Sequence, residues 1–248
     1  MATEYNAYYA WVNDKVCDSS ILSYRRPFER KYIKKTLDLR PTDVVLEVGC
    51  NKGKFLGELT KQLPDANIYG IDVNEHAISE TKKNARGTFQ VMDATKLAFP
   101  AKKFDKAFMV HVLEHIPDMK GTLKEMHRVI KPGGMLIVTS PLDLFRPYLF
   151  KVTGAVGRMF GLHKKKLDTS KLSHQIAHYL MNNPHVHVFR MKQLLDDFKA
   201  AGFVPVEIKP VCYLPIIPIK KPAIHKIKSK TCFHDLVSFS GTFVLRNT

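Results

Sequence analysis

The residues with the clearest chemistry lie in one short segment, Glu47-Val48-Gly49-Cys50-Asn51-Lys52-Gly53. Gly49 permits a sharp reversal of the chain and lets a ligand lie against bare backbone. Asn51 tolerates left-handed backbone better than most residues do. The carboxylate of Glu47 can accept a hydrogen bond from a ligand ammonium group. The segment therefore predicts a turn that binds a small ligand.

The elements on either side of this turn follow from the spacing of apolar residues. An aliphatic run typical of a buried strand precedes the turn, and helical spacing follows it. These residues are Val44, Val45, Leu46 and Val48, then Phe55, Leu56, Leu59 and Leu63. Gly53 is expected to let the new helix pack closely on the sheet. The free N–H groups at the start of that helix suit a ligand with an anionic group.

The next predicted strand, Asn67–Asp72, ends in a second carboxylate. Asp72 lies 23 residues beyond Gly49, close to the roughly 20 expected for an acid that binds both hydroxyls of a ribose. Taken alone, Asp72 could instead cap a helix predicted over residues 74–84. The glycine spacing differs from the Gly-x-Gly-x-x-Gly of dinucleotide sites, which weakens a nicotinamide interpretation.

The segment Glu47–Gly53 resembles the first motif of class I S-adenosylmethionine-dependent methyltransferases, with Asn51 in place of the usual middle glycine. The resemblance implies that the chain is a transferase, a methyltransferase with S-adenosyl-L-methionine as its cofactor. It also implies a cofactor site formed by Glu47, Gly49, Cys50, Asn51, Gly53, Asp72, Val73, Asp93, Ala94 and His111.

Asp93 and Ala94 follow a third predicted strand that begins at Thr88. In the family that the chain resembles, this aspartate accepts a hydrogen bond from the adenine amino group, and the next backbone N–H donates to the ring. One acceptor beside one donor suits the adenine edge. A purely structural turn at Asp93 is the competing interpretation.

The fourth predicted strand and its loop, Phe104–Asp118, resemble the small-molecule branch of these enzymes, the methyltransferases of ubiquinone and menaquinone biosynthesis type. Because ligands bind beyond the carboxyl ends of such strands, His111 is expected to face the methyl donor. Some related enzymes carry a Glu-x-x-Glu-His metal site in this loop. Here His111 replaces the first glutamate, and nitrogen suits a hard cation such as magnesium poorly. We therefore expect no metal, with Glu114 and His115 bracing the loop instead.

Methyl transfer from a sulfonium requires mainly that the acceptor be positioned and water excluded. A general base is needed only when the acceptor must lose a proton. The base candidates are His111, His115, His185 and His187, of which we rank His187 and His111 first as catalytic residues. A structural role for each histidine stays open.

Composition bounds the setting of this chemistry. The 248 residues contain four cysteines without a Cys-x-x-Cys pair, and no N-terminal signal pattern or apolar run of spanning length, so a cytoplasmic protein is expected. The formal net charge is +16, of which +11 lies in residues 143–248. Such a surface can attract nucleic acid, an anionic membrane in a peripheral contact, or an anionic substrate, or it can simply aid solubility.

The predicted architecture is a doubly wound α/β domain with a seven-stranded, mostly parallel sheet of the Rossmann-like methyltransferase fold and an antiparallel edge. Residues 1–40 are expected to form a helical lid and residues 41–248 the methyltransferase domain, with a basic amphipathic insertion at 143–180. Later elements are a helix over Met119–Val129, a turn at 131–134 before a strand, and a helix ended by Gly202.

The predicted function is methyl transfer to a small hydrophobic or amphiphilic acceptor. RNA methylation by the basic C-terminal half is one alternative, which strongly salt-dependent RNA binding would support. A regulator that binds S-adenosylmethionine without catalysis is another, and a nicotinamide oxidoreductase ranks last. Oligomeric state does not follow from the sequence.

Overall fold

The computed structural model describes residues 20–62, 67–142, 187, 189–212 and 238–248. The predicted insertion at 143–180, the first 19 residues of the predicted lid, and His185 lie outside the described residues. The division into a lid and a domain therefore stays a prediction.

Within these residues, seven strands form one sheet. They are β1 (Val44–Val48), β2 (Asn67–Asp72), β3 (Thr88–Val91), β4 (Phe104–Val110), β5 (Ile130–Pro141), β6 (Phe203–Cys212) and β7 (Ser238–Asn247). Their order is β3-β2-β1-β4-β5-β7-β6. The pairs among β1 to β5 are parallel, whereas β7 pairs antiparallel with both β5 and β6. The predicted fold class is confirmed, including an antiparallel pair of strands at one edge.

Five helices flank the sheet within the described residues. They are α1 (Ser20–Leu37), α2 (Lys54–Gln62), α3 (Glu75–Asn84), α4 (Met119–Val129) and α5 (Met191–Ala200), and a short 3-10 turn covers Leu113–His115. Side chains cap two of the helix starts, since Asn74 accepts from Ala77 N at 3.2 Å and Asp118 from Gly121 N at 2.8 Å. Gly202 follows α5 with φ +93°, which confirms it as the predicted stop.

The core has two parts, as expected when helices cover both faces of a sheet. One buried cluster joins strand residues such as Phe104 and Leu136 to Leu123 of α4 and Phe198 of α5. The other cluster includes Ile33 and Leu37 of α1, Phe55 of α2, and Phe108 of β4. The C-terminal half of α1 is thus part of the packed core.

Residues 131–134 differ from the predicted turn. Strand β5 already begins at Ile130, and its pairing with β4 shifts register between Phe104 and Lys106. The irregular stretch frees backbone carbonyls, and the Asn247 side-chain amide donates to Ile130 O at 2.8 Å and to Lys131 O at 3.3 Å. A side chain from β7 therefore satisfies two backbone carbonyls where the pairing of β5 with β4 is interrupted. In the described part of the chain, none of the helices combines the length and apolar character that crossing a membrane requires.

Candidate functional site

The turn after β1 has the geometry that its sequence predicts. Gly49, Asn51 and Gly53 have φ of +71°, +48° and +69°, the left-handed region that glycine and asparagine tolerate best. The N–H groups of Gly49 and Cys50 both donate to Ile71 O, at 2.8 and 3.0 Å. These bonds fix the turn to the end of β2, so the carboxyl ends of β1 and β2 share one crevice.

Both glycines of the turn are also required by close packing. A Cβ atom at Gly49 would lie 3.0 Å from Val112 Cγ1 and closer still to Val112 Cγ2. At Gly53 it would lie 2.7 Å from Thr81 Cγ2 and 2.9 Å from Thr81 Cα. The close partner of Gly53 is therefore helix α3. The helix that Gly53 opens packs on the sheet as expected, through Phe55 and Leu56, but the space at Gly53 itself is limited by Thr81.

The carboxylate of Asp72 joins the turn after β1 to the residue that caps α3. Its Oδ2 accepts from Asn51 N at 2.9 Å, and its Oδ1 accepts from Asn74 N at 3.0 Å. Burial raises the pKa of Asp72, while the backbone N–H groups of Asn74, Asn51 and Val73 oppose that rise. Each carboxylate oxygen has a further lone pair that can accept a ligand hydroxyl.

Glu47 is the least satisfied carboxylate at this end of the sheet. It is buried at 5% exposure, and within the described part of the chain its Oε2 has no hydrogen-bond partner. Burial raises the pKa of Glu47 well above its usual range, against the opposing charge of Arg30. A buried carboxylate oxygen left in this state is costly for the free protein. An ammonium group in the crevice would supply the missing donor and charge.

Cys50, Val73, Asp93 and Ala94 are further residues that the sequence predicted for the cofactor site. The thiol of Cys50 is buried, and burial strongly raises its pKa, so its contribution is neutral. Asp93 Oδ1 accepts from both Thr95 N and Thr95 Oγ1 at 2.8 Å, which shows the structural turn. This bonding uses one oxygen of Asp93, and contact with an adenine edge stays a prediction.

His111 follows β4 with φ +56° and donates its backbone N–H to Thr139 O at 2.8 Å. Its Nε2 lies 3.1 Å from Glu29 Oε2 and 3.3 Å from Glu29 Oε1. Its Nδ1 lies 3.4 Å from Glu114 Oε1. Both ring nitrogens therefore face carboxylates. In this arrangement neither nitrogen can take a proton from a bound methyl acceptor.

His187 is bound to the loop that follows His111, through backbone carbonyls of that loop. Its backbone N–H donates to Glu114 O at 3.2 Å, and its Nε2 lies 2.9 Å from Ile116 O and 3.1 Å from Pro117 O. Because carbonyl oxygens only accept, Nε2 must carry a hydrogen. In the neutral ring the lone pair then lies on Nδ1. The ring stacks on Phe189 at 5.7 Å between centroids.

Two residues of this region had no signal in the sequence. Thr81 donates its hydroxyl to Asn51 O at 2.5 Å and so fixes the turn from α3. Glu29, at 3% exposure, reaches His111 from α1. Neither belongs to a motif, and each acts across a long sequence separation. Within the described residues, no three His, Cys, Asp or Glu side chains are grouped so as to hold a metal ion.

The residues present fit the cofactor that the sequence implied. The observation that shows the fit is the Oε2 atom of Glu47, which no described residue bonds and whose carboxylate lies close enough to Asp72 for their charges to interact. The left-handed turn beside it exposes backbone at the start of α2, where a ligand can approach.

Comparison with known proteins gives the same result. The family model described as a methyltransferase domain matches residues 21–208. A demethylmenaquinone methyltransferase of Geobacillus stearothermophilus is 30% identical over 207 residues, which cover 79% of this chain and 86% of that protein. A ubiquinone biosynthesis O-methyltransferase of Coxiella burnetii is 32% identical over 134 residues, covering 52% of this chain and 56% of that protein.

Solved structures show the same fold at lower identity. A SAM-dependent methyltransferase of Thermotoga maritima matches with a TM-score of 0.57 at 19% identity, over 92% of this chain and 96% of that one. A SAM-dependent methyltransferase of Methanosarcina mazei matches with a TM-score of 0.55 at 18% identity, over 84% and 94%. Since the family model spans most of the chain and the glycine turn and Asp72 form one crevice, the chain belongs to the methyltransferase-domain family, as an S-adenosylmethionine-dependent enzyme that resembles the ubiquinone and menaquinone methyltransferases.

Proposed function

We propose that this enzyme methylates a small hydrophobic acceptor that carries an aromatic ring with an ionisable hydroxyl, such as a quinol. The observation that carries the proposal is the similarity to a demethylmenaquinone methyltransferase over 79% of the chain. The ubiquinone biosynthesis O-methyltransferase points to the same class of acceptor. We assign the acceptor by its chemistry, a reduced quinone ring.

The cofactor residues have distinct roles in this proposal. Glu47 accepts the ammonium group of S-adenosylmethionine, and Asp72 accepts the ribose hydroxyls through charge-assisted hydrogen bonds. Asp93 and the Ala94 N–H bind the adenine edge, while the backbone of the turn from Gly49 to Gly53, with Cys50 and Asn51 between them, lies along the ligand. Val73 and His111 complete the site. When bound, S-adenosylmethionine supplies an electrophilic methyl group.

Of the two histidines predicted as bases, His187 is the better suited. Its Nε2–H is used by the carbonyls of Ile116 and Pro117, so Nδ1 keeps the lone pair that can accept a hydroxyl proton. His111 has a carboxylate at each ring nitrogen. We therefore propose His187 as the base that deprotonates the acceptor, with Nδ1 as the accepting atom.

The excess of basic residues supports a role for a membrane surface. Quinones dissolve in membranes, and a net charge of +16 attracts anionic lipid headgroups. We expect the enzyme to act in the cytoplasm and to contact an anionic bilayer peripherally. Vesicles with and without phosphatidylglycerol would test this contact by co-sedimentation, with binding expected only to the anionic ones.

The acceptor is tested by transfer of a labelled methyl group. The protein is incubated with methyl-labelled S-adenosylmethionine and either a short-chain demethylmenaquinol or total RNA. We expect label in the organic extract of the quinol reaction and none in RNA. Label in RNA alone would contradict the proposal, as would no transfer to the quinol by protein that binds the cofactor.

His187→Gln separates a catalytic role from an anchoring role. Glutamine can still donate an N–H to Ile116 O, but it has no basic nitrogen. We expect quinol turnover to fall about 100-fold, the lower range for loss of a general base, with cofactor affinity unchanged by calorimetry. The exposed His76→Gln is the matched control. Full activity of His187→Gln beside an inactive His187→Ala would instead show that His187 is only an anchor.

A further inference from the structure

We infer that Glu29, His111 and Glu114 form a charged clamp that holds the loop of residues 111–117 against the cofactor turn. In this clamp His111 is a positioning residue and stays protonated on both ring nitrogens. The inference concerns the cofactor side of the site, so it does not depend on which acceptor the enzyme methylates.

The geometry of the ring carries the argument. Nε2 of His111 lies within 3.3 Å of both oxygens of Glu29, and Nδ1 lies 3.4 Å from Glu114 Oε1. The two glutamates are buried, at 3% and 1% exposure. Ionised carboxylates only accept hydrogen bonds, so each ring nitrogen must donate. An imidazolium with two buried carboxylates satisfies both contacts at once.

The environment of Glu114 supports an ionised clamp. Burial alone would raise the pKa of Glu114, but the hydrogen bond and charge of His111, with the charge of His115, lower it below its usual range. Ser140 Oγ donates to Glu114 Oε2 at 3.2 Å. The described residues that contact the ring include Glu29 on α1 and Glu114 in the 3-10 turn. The charge of His115, in the same turn, acts on Glu114.

The backbone of His111 is consistent with this role. A φ of +56° is uncommon for a residue with a side chain. Such conformations persist where the surrounding contacts fix them. At His111 the backbone N–H is bound to Thr139 O at 2.8 Å, and the ring is bound on both sides. These contacts fix the direction in which the chain leaves β4.

The loop that leaves His111 contacts three parts of the site. Val112 packs against Gly49 of the cofactor turn so closely that no Cβ fits there. Glu114 O accepts the backbone N–H of His187 at 3.2 Å, and the ring of His111 bonds to Glu29 of α1. The clamp therefore sets the relative position of α1, the cofactor turn and the segment that carries His187.

Two measurements on the full-length protein test the clamp. The first records the ring nitrogen chemical shifts of ¹⁵N-labelled histidines at about pH 8, well above the ordinary histidine pKa of about 6.5, with His111→Gln identifying the signal. The second titrates S-adenosylmethionine into Glu29→Gln, His111→Gln and the double variant by calorimetry. Glu58→Gln is the matched control. Glu58 is a half-exposed carboxylate on α2 that pairs with Arg30, the residue that follows Glu29 on α1.

We expect the His111 ring to show two protonated nitrogens at pH 8 in the wild type. Glu29→Gln and His111→Gln should each weaken cofactor binding about tenfold, within the range found for residues that couple to a site indirectly. The double variant should bind no more weakly than the singles, and Glu58→Gln should bind normally. A neutral His111 ring in the wild type would overturn the inference. Unchanged cofactor affinity in a folded Glu29→Gln would overturn it as well.

Discussion

Carboxylates at the two ends of the sheet have opposite environments. At the carboxyl end, burial raises the pKa of both Glu47 and Asp72, and Glu47 Oε2 has no partner in the described part of the chain. At the amino end, Asp105 is the second residue of β4, and its carboxylate accepts from Lys131 Nζ at 2.7 Å and from Val44 N at 2.9 Å. Although its burial opposes ionisation, these partners lower the pKa of Asp105.

The difference separates groups that stabilise the fold from groups that bind a ligand. Asp105 has complete bonding within the chain, which favours its charged form in the folded state. Among the described residues nothing bonds Glu47 Oε2, so burying this carboxylate is unfavourable until a ligand supplies a donor. A buried carboxylate with a raised pKa in a crevice is typical of a functional position. The contrast can be tested with paired variants at the two ends.

Asp72→Ala should have the largest effect. It removes the acceptor of Asn51 N and Asn74 N and the proposed ribose contacts, so we expect S-adenosylmethionine binding to weaken at least about 100-fold, equivalent to two charge-assisted hydrogen bonds. Asp105→Ala is the control at the opposite end. It should lower the free energy of unfolding by about 1 kcal/mol with cofactor affinity unchanged. Calorimetry and urea unfolding measure the two quantities, and equal effects of both variants on binding would contradict the contrast.

Two glycines with left-handed backbone extend the comparison to stability. In Gly49→Ala the new methyl group would meet Val112, and φ is +71°. We expect a loss of about 2–4 kcal/mol in the free energy of unfolding. Gly133 has φ +76° with nothing within 4 Å of the added Cβ, so Gly133→Ala should lose only about 1 kcal/mol. Similar losses in urea unfolding would show that crowding at the cofactor turn is not important.

Glu47→Gln should give the smallest effect and a distinctive pH dependence. Because the folded protein raises the pKa of Glu47, it binds more protons than the unfolded chain above the ordinary value of about 4.5. This residue therefore makes stability fall as pH rises from there toward the raised pKa. The variant should lack that fall and gain stability relative to wild type as pH increases.

The same variant should bind S-adenosylmethionine about tenfold more weakly, since it loses one charge-assisted hydrogen bond. Thermal unfolding from pH 4 to 8 and calorimetry at pH 7.5 measure the two consequences. A stability difference that does not change with pH would exclude a raised pKa at Glu47, and normal cofactor affinity would exclude its ligand role.

Local pattern was sufficient for much of the fold. The helix predicted over Met119–Val129 has those bounds in the structure, and strand β2 covers the predicted Asn67–Asp72. Apolar spacing, caps and glycine stops act within a few residues, so they are legible in the sequence. The turn at Gly49 and the left-handed Asn51 follow from residue type in the same way.

Long-range contacts explain what could not be predicted. Strand β5 already begins at Ile130, where Asn247, far away in sequence but on the neighbouring strand β7, bonds the carbonyls of Ile130 and Lys131. Glu29 reaches His111 across 82 residues, and Thr81 determines the space at Gly53. In the sequence, each of these partners lies far from the segment that it affects. They become visible only when the folded chain brings them together.

A crystal structure of the protein with S-adenosylhomocysteine would test the central claim most directly. This product of methyl transfer keeps the amino group, ribose and adenine of the cofactor. The account predicts the amino group against Glu47, the ribose hydroxyls against Asp72, and the ligand in the crevice beside the turn from Gly49 to Gly53. Ligand bound elsewhere on the chain, with Glu47 Oε2 still unpartnered, would contradict it.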